Sequence, residues 1–336
     1  MIVREGVPLS SLTSFRVGGP ARYTVECSSR EELVEALAFA REKMLPWRVL
    51  GEGSNVLARD EGFEGVLILM RILGIEQYVR NGALEITAGA GVSWDAVVRY
   101  VGTQGAWGME NLAGIPGTVG AAPVQNIGAY GAEVKDALRE IRVLDTKHGE
   151  ERVLLREECD FSYRTSRFKY EPWLVILSVS FSLPLEGVPS LGYKDFGVAK
   201  AAGEDLSTPE RIADVVRRIR ARKFPDLRTV GTAGSFFKNP TISTDAFARL
   251  HERYPELPAF PVEGGIKIPI AYILDRVLNT RGYKEGNVGF FHNHSLILVA
   301  ENGATEKEID AFAKKFEARI KEVSDIDIER EVQTFP

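Results

Sequence analysis

"GEGSNVL" occupies residues 51–57, directly after the strand-like "WRVL" at 47–50. Two glycines after a strand invite a dinucleotide-binding turn of the G-x-G-x-x-G kind. That turn needs a glycine at 56, where Val56 stands, and an amphipathic helix starting at once. Neither is present, which excludes a Rossmann fingerprint. An anion-binding loop does not need that fold. Gly51 and Gly53 remove side chains that would block close approach to the backbone, and Ser54 and Asn55 add donors, so successive N–H groups can form a nest.

The flanks alternate between strand and helix. "RYTVEC" (22–27) has the period of a strand, and Ser29 with Glu32 opens the helical run "EELVEALAFAREK". Strands are expected at "GVLILM" (65–70) and "LEITAG" (84–89), then a helix "WDAVVRYVGTQG" with Ser93 at its cap and Gly105 at its end. From 108 to 131 the pattern dissolves into "GMENLAGIPGTVGAAPVQNIGAYG", with glycines at 108, 114, 117, 120, 128 and 131. Two glycine-rich loops around a β-α-β unit suit a long cofactor with a pyrophosphate in its middle. On pattern alone, two ordinary turns explain them equally well. Strand-like stretches return at 138–145, 151–155 and 173–184. Thr208-Pro209 opens a new helical unit through "ERIADVVRRIRAR". The remainder mixes helices ("IPIAYILDRVL" and a run capped by Thr305 with Glu308) with strands "HSLILVA" and "IDIEREV".

Composition narrows the function classes. The 336 residues are 44% hydrophobic and 26% charged, with a net charge of -5. An acidic chain has no general affinity for nucleic acid or anionic membrane, so any anion site must be built locally. Two cysteines, Cys27 and Cys159, suggest no disulfide framework. The opening residues lack the apolar run of a signal peptide, and "GVLILM" is too short to span a bilayer, so a cytoplasmic location without membrane insertion is expected. "HNH" (292–294) has strand spacing rather than the i,i+4 spacing of a metal-binding helix, and no metal is expected.

"LGEGSNVL", "GMENLAGIPGTVGAAPVQNIGAYG", "CDFSYRTSRFK" and "GTAGSFFKNP", in that order, resemble the UDP-N-acetylenolpyruvoylglucosamine reductase (MurB) family, over nearly the whole chain. The resemblance implies an α+β fold: a two-lobed FAD-binding domain of the PCMH (vanillyl-alcohol-oxidase-like) type at about 16–184, then a C-terminal α+β substrate-binding domain. The expected divisions are 1–66, 67–207 and 208–336, with the last strand returning to the active site. It implies non-covalent FAD, NADPH as hydride donor, and reduction of UDP-N-acetylglucosamine enolpyruvate to UDP-N-acetylmuramate for peptidoglycan. "PSLGYKDFGVAKAAG" (189–203) resembles the additional segment of one family type, whose tyrosine covers the substrate; Tyr193 stands in its place.

The implied site follows. Cofactor contacts fall on Gly51, Gly53, Ser54, Asn55 and Val56, and on Gly114, Ile115, Pro116, Gly117, Gly120, Asn126, Gly128 and Gly131. Arg164 takes the position that binds the substrate carboxylate, where a guanidinium fork suits the developing charge. Ser235 takes the proton-donor position, and Lys223 or Lys238 is expected to steady its alkoxide. Glu331 takes the catalytic glutamate position, expected to act protonated or through water because a second negative charge would repel the intermediate. Where some relatives carry an arginine two residues on, this chain has Gln333. Tyr193, Lys223, Asn239, Lys267 and His294 are the expected substrate contacts, and Phe260 stands where an aromatic would stack on uracil. Read without the resemblance, Ser235 is a turn serine and Arg164 half of a surface ion pair. The competing functions are another FAD oxidoreductase of the same cofactor fold and a non-catalytic flavin or nucleotide-sugar binder.

Overall fold

The computed structural model describes residues 1–336. The chain divides into two units: Met1–Val7, Ala21–Glu52 and Glu64–Ala221 form the first, and Pro8–Pro20, Gly53–Phe63 and Arg222–Pro336 the second. The division therefore cuts through "GEGSNVL", between Glu52 and Gly53.

The first unit is built on two sheets. One has four strands in the order Ile2–Pro8, Pro20–Cys27, Phe63–Met70, Trp47–Leu50. The last two run parallel, with Trp47 opposite Val66 and Leu50 opposite Leu69. "FEGVLILM" reads as a continuous apolar run because its residues are buried on both faces. The other sheet has five strands in the order Glu150–Leu155, Leu138–Asp145, Leu174–Pro184, Ala83–Gly89, Ile75–Arg80, all antiparallel. Its central strand, Leu174–Pro184, is nearly all buried, whereas the edge strand Ile75–Arg80 is exposed. Helices Arg30–Glu42, Trp94–Thr103 and Pro209–Lys223 complete the unit. Ser29 accepts from the Glu32 N–H at 3.2 Å, as a capping residue should. Ser93 holds the cap position of the next helix without a capping bond; its backbone bridges Thr118 instead.

The second unit packs phenylalanines. Phe236, Phe237, Phe290, Phe312 and Phe316 share one buried cluster. Around it lie a three-stranded sheet (Lys284–Glu285, Val288–Phe291, His294–Ala300), a smaller one (Thr241–Ile242, Gly265–Lys267, Phe260–Val262) and the helices Thr244–Arg253 and Glu306–Ser324. "IPIAYILDRVL" makes one α-turn, Ile270–Tyr272, then a π-turn, Ile273–Val277, because Leu278 N–H reaches back to Ile273 O and Thr280 caps Leu274 O. "IDIEREV" is not a regular strand: it pairs only through a bridge at Arg330 before the short strand Gln333–Phe335.

Helix Glu306–Ser324 has a complete capping box, with Thr305 Oγ1 accepting from Glu308 N–H and the Glu308 carboxylate accepting from Thr305 N–H. Thr305→Ala should cost about 1 kcal/mol, read as a lower urea midpoint with an unchanged slope.

Candidate active site

Three distant stretches lie edge to edge within the second unit. Ser235 bridges Ile297, and the Phe236 N–H donates to Leu296 O at 2.8 Å. On the opposite side, Phe236 O accepts from the Glu331 N–H at 2.8 Å, and the Lys238 N–H donates to Glu329 O at 2.9 Å. Gln333–Phe335 then runs parallel to Val56–Ala58. The Gln333 N–H donates to Asn55 O at 3.1 Å, and the Asn55 amide donates to Glu331 O at 3.2 Å. Ser235, Glu331 and the Ser54-Asn55-Val56 run are thus on neighbouring lengths of backbone.

Ser235 is locally fixed. Gly234 adopts φ +78°, a left-handed conformation that suits glycine, and its N–H donates to Thr232 Oγ1 at 3.2 Å. Thr232 is buried and donates in turn to Leu298 O at 2.7 Å. Beyond Ser235, the rings of Phe236 and Phe237 are fully buried and meet edge to face at 5.1 Å. Across the bridge, Arg330 is committed to Asp310 at 2.7 Å and Glu317 at 2.5 Å. The Lys238 ammonium pairs with the exposed Glu329 at 2.7 Å, so part of its charge is already answered.

The other candidates of this unit sit nearby in sequence or sheet. Asn239 accepts from the Ile270 N–H at 3.1 Å, which orients its amide. Phe260, an exposed ring, is the cross-strand partner of Lys267. His294 accepts from the Leu296 N–H at 3.2 Å and its ring lies 6.3 Å from that of Phe224. Lys223, half-buried, ends helix Pro209–Lys223. Gly53 has φ +62°, and a Cβ there would lie 2.3 Å from Leu12 O.

In the first unit, Arg164 sits at φ +54° in a tight turn closed by reciprocal Ser162 and Thr165 backbone bonds. Its guanidinium donates to Gly128 O at 2.8 Å, and Lys169 donates to Arg164 O at 2.7 Å. A Cβ on Gly128 would come within 2.9 Å of Arg164 Nη1. Asn126, fully buried, braces this turn: it donates to Ser162 O at 3.1 Å and to Glu133 at 2.9 Å, and accepts from the Lys135 N–H. Its amide is spent inside the protein, so its part in the loop is to support the arginine turn.

The 114–131 loop is positioned by carboxylates. The Gly114 N–H donates to Asp95 at 2.7 Å and the Gly117 N–H to Glu52 at 3.0 Å. Gly114 and Gly117 have positive φ, half-buried Ile115 packs on the apolar core, Pro116 is exposed, and Gly120 rests on Ala90, 2.6 Å from where a Cβ would fall. Gly131 lies against the ring of Tyr193, which is half exposed and meets Tyr130 at 5.7 Å.

Two residues absent from the sequence reading matter here. Arg220 donates to Gly114 O at 3.0 Å. Burial pushes its guanidinium below the usual arginine range, the like charge of Arg164 adds to this, and Tyr130 and Asp95 oppose it. Burial, with Asp195 and Tyr193 adding, pushes the Tyr130 phenol up to about 12 against the pull of Arg220. A signal was present: Arg217 and Arg220 lie four residues after Ala213 and Val216, so they fall on the buried stripe of their helix. Arg217 answers Asp95 at 3.0 Å. No group of three or more His, Cys, Asp or Glu suited to a metal is present, and no helix is long and apolar enough to cross a membrane.

Both parts of the chain match known protein families. A family model described as an FAD binding domain matches residues 21–154, and one described as the UDP-N-acetylenolpyruvoylglucosamine reductase C-terminal domain matches 226–335. Among curated relatives, the UDP-N-acetylenolpyruvoylglucosamine reductase of Bdellovibrio bacteriovorus is 36% identical, over 98% of this chain and 99% of that one. That of Ralstonia nicotianae is 38% identical over 92% of each. The crystal structure of the reductase from Thermus caldophilus superposes with a TM-score of 0.69 at 26% identity, covering the whole of both chains.

The residues present fit a flavin dinucleotide. The N–H protons of Gly114 and Gly117 are taken by Asp95 and Glu52, which fixes the shape of the loop, and the positive φ of Gly53, Gly114 and Gly117 leaves side-chain-free backbone open to close approach. Gly51 packs so close to Thr118 that a Cβ would lie 2.6 Å from its Oγ1. Gly51→Ala should therefore weaken FAD binding at least tenfold in a fluorescence titration of the apoprotein, and Thr118→Ala should restore much of it; an unaltered Gly51→Ala titration would remove this loop from the cofactor site.

Homology running the length of the chain, with both domain models in order, makes this protein a member of the UDP-N-acetylenolpyruvoylglucosamine reductase family.

Proposed function

We propose that this chain reduces UDP-N-acetylglucosamine enolpyruvate to UDP-N-acetylmuramate, a step of peptidoglycan synthesis in the cytoplasm, with NADPH as the reductant. The observation that carries this reading is the backbone pairing that sets Ser235 and Glu331 beside the Ser54-Asn55-Val56 run. Bound FAD would supply the two-electron chemistry that links NADPH to C3 of the enolpyruvyl group.

The chain's residues handle the charge and the proton. As C3 gains the hydride, negative charge develops at C2 and spreads into the carboxylate. The Arg164 fork binds that carboxylate, its carbonyl tied by Lys169 and its head aimed by Gly128 O. Ser235 Oγ gives its proton to C2, completing the lactyl ether. A serine is a weak acid, so its acceptor must be as basic as an enolate, and the alkoxide left behind needs a cation. Lys223 and Lys238 are the candidates for that cation, with the charge of Lys238 shared by Glu329. Glu331 acts near C2 either protonated or through a water, since a second negative charge there would repel the intermediate. Phe260 and its cross-strand neighbour Lys267 offer an exposed ring and a cation in one place, as uracil and diphosphate require. Asn239 and His294 complete the sugar-nucleotide contacts, and Tyr193 covers the substrate.

The test separates the two half-reactions by stopped flow. The protein should be yellow, bleach anaerobically with NADPH, and recolour with the enolpyruvyl substrate but not with other acceptors. In Ser235→Ala, bleaching should keep its rate, while recolouring should slow by about 10²- to 10⁴-fold, the usual worth of a positioned general acid. Arg164→Lys should also recolour slowly, because charge without the fork does not hold a carboxylate. Wild-type recolouring in Ser235→Ala would end its assignment as proton donor.

A further inference from the structure

Between strand Leu174–Pro184 and helix Lys194–Ala201, residues 185–193 form a strap without regular structure. Much of it is exposed, with Val188 at 89% and Tyr193 at 51%. It is held at points rather than by continuous packing. Gly187 lies flat on Trp107, where a Cβ would come within 2.7 Å of the indole. Ser190 O accepts from Asn111 Nδ2 at 2.9 Å. The Tyr193 ring leans on Tyr130 and Gly131. Beneath the strap is a cavity of about 370 Å³ lined in part by Trp107, Asn111, Gly187, Val188 and Ser190.

Asn111 is 2% exposed, and the same Nδ2 that holds Ser190 O donates its second proton to Tyr130 O at 3.0 Å. Its Oδ1, also buried, has no hydrogen-bond partner. The amide is therefore oriented by its two donations alone, and these join the strap to the residue on which Tyr193 rests. We propose that Asn111 is a positioning residue for substrate binding: it clasps the strap to the 128–131 turn and so fixes where the Tyr193 hydroxyl stands. This rests on the assignment of Tyr193 to the substrate. The Asn111 side chain acts through the strap and takes no part in flavin reduction.

Two variants release the strap at different anchors. Asn111→Asp keeps the shape but replaces the one nitrogen that makes both donations with an oxygen facing two carbonyls. Gly187→Ala pushes the strap off Trp107. Each should raise the KM for UDP-N-acetylglucosamine enolpyruvate about tenfold, with kcat and the rate of flavin reduction by NADPH within about twofold of wild type. Each should also speed cleavage after Glu186 by a glutamate-specific protease and after Lys194 by trypsin. The double variant should be little worse than either single one, since both act on one strap. Unchanged KM values or unchanged cleavage in both variants would overturn the proposal. So would an equal fall in both half-reactions with loss of FAD, the sign of a purely structural role. If wild type turns over no enolpyruvyl substrate, the assigned reaction is wrong, and the cleavage rates still decide whether Asn111 holds the strap.

Discussion

The antiparallel pairing of Phe236 and Lys238 with Glu331 and Glu329 is the constraint on which the candidate site depends. It is a short pairing, with a single bridge at Phe237 and Arg330, yet it settles three positions at once. It ties the serine segment to the end of the chain. It commits Arg330 to Asp310 and Glu317. It also delivers Gln333 to Asn55, which brings the loop after the first glycine pair alongside. The anchoring comes from the core behind it, where Phe236 and Phe237 are fully buried. Burial of two such rings is worth roughly 3–6 kcal/mol, more than enough to hold a few backbone hydrogen bonds in register.

Electrostatics in the first unit follows a related logic. A protein of net charge -5 builds a site for anionic ligands by fixing a few cations and backbone donors in place. Asp95 is central: burial works against its charge, but hydrogen bonds from Arg217 and the Gly114 N–H hold its carboxyl below the ordinary range. That carboxylate secures the glycine loop from one side while Arg220 holds the Gly114 carbonyl from another. Arg164 is set by a turn in the left-handed region, a conformation that costs energy for a residue with a long side chain. Asn126, Lys169 and Gly128 together keep it there.

Much of the architecture was legible locally. Val56 in place of glycine ruled out a strand-to-helix dinucleotide turn, and the structure continues there as strand Val56–Ala58. The capping residues Ser29, Thr208 and Thr305 mark real helix starts, because an N-cap is a bond between near neighbours. What escaped is non-local. Nothing in "IDIEREV" announces that it pairs by one bridge rather than a ladder. Asn126 is expected to contact the cofactor, but its side-chain amide bonds Ser162, Glu133 and Lys135. Arg220 and Tyr130 gain their meaning from burial, which one sequence reveals only through helical spacing. Asn111 is a buried clasp whose partner, Ser190, lies 79 positions away.

The central claim is that an exchangeable proton of the protein, carried by Ser235, ends on C2 of the substrate while the hydride ends on C3. Reduced enzyme mixed with UDP-N-acetylglucosamine enolpyruvate in D2O, with the product read by NMR, tests it directly. The account predicts one solvent deuterium at C2, deuterium at C3 only to the extent that the reduced flavin exchanges its own N–H with solvent, and a solvent isotope effect on flavin reoxidation but not on flavin reduction. Protium at C2 would contradict it.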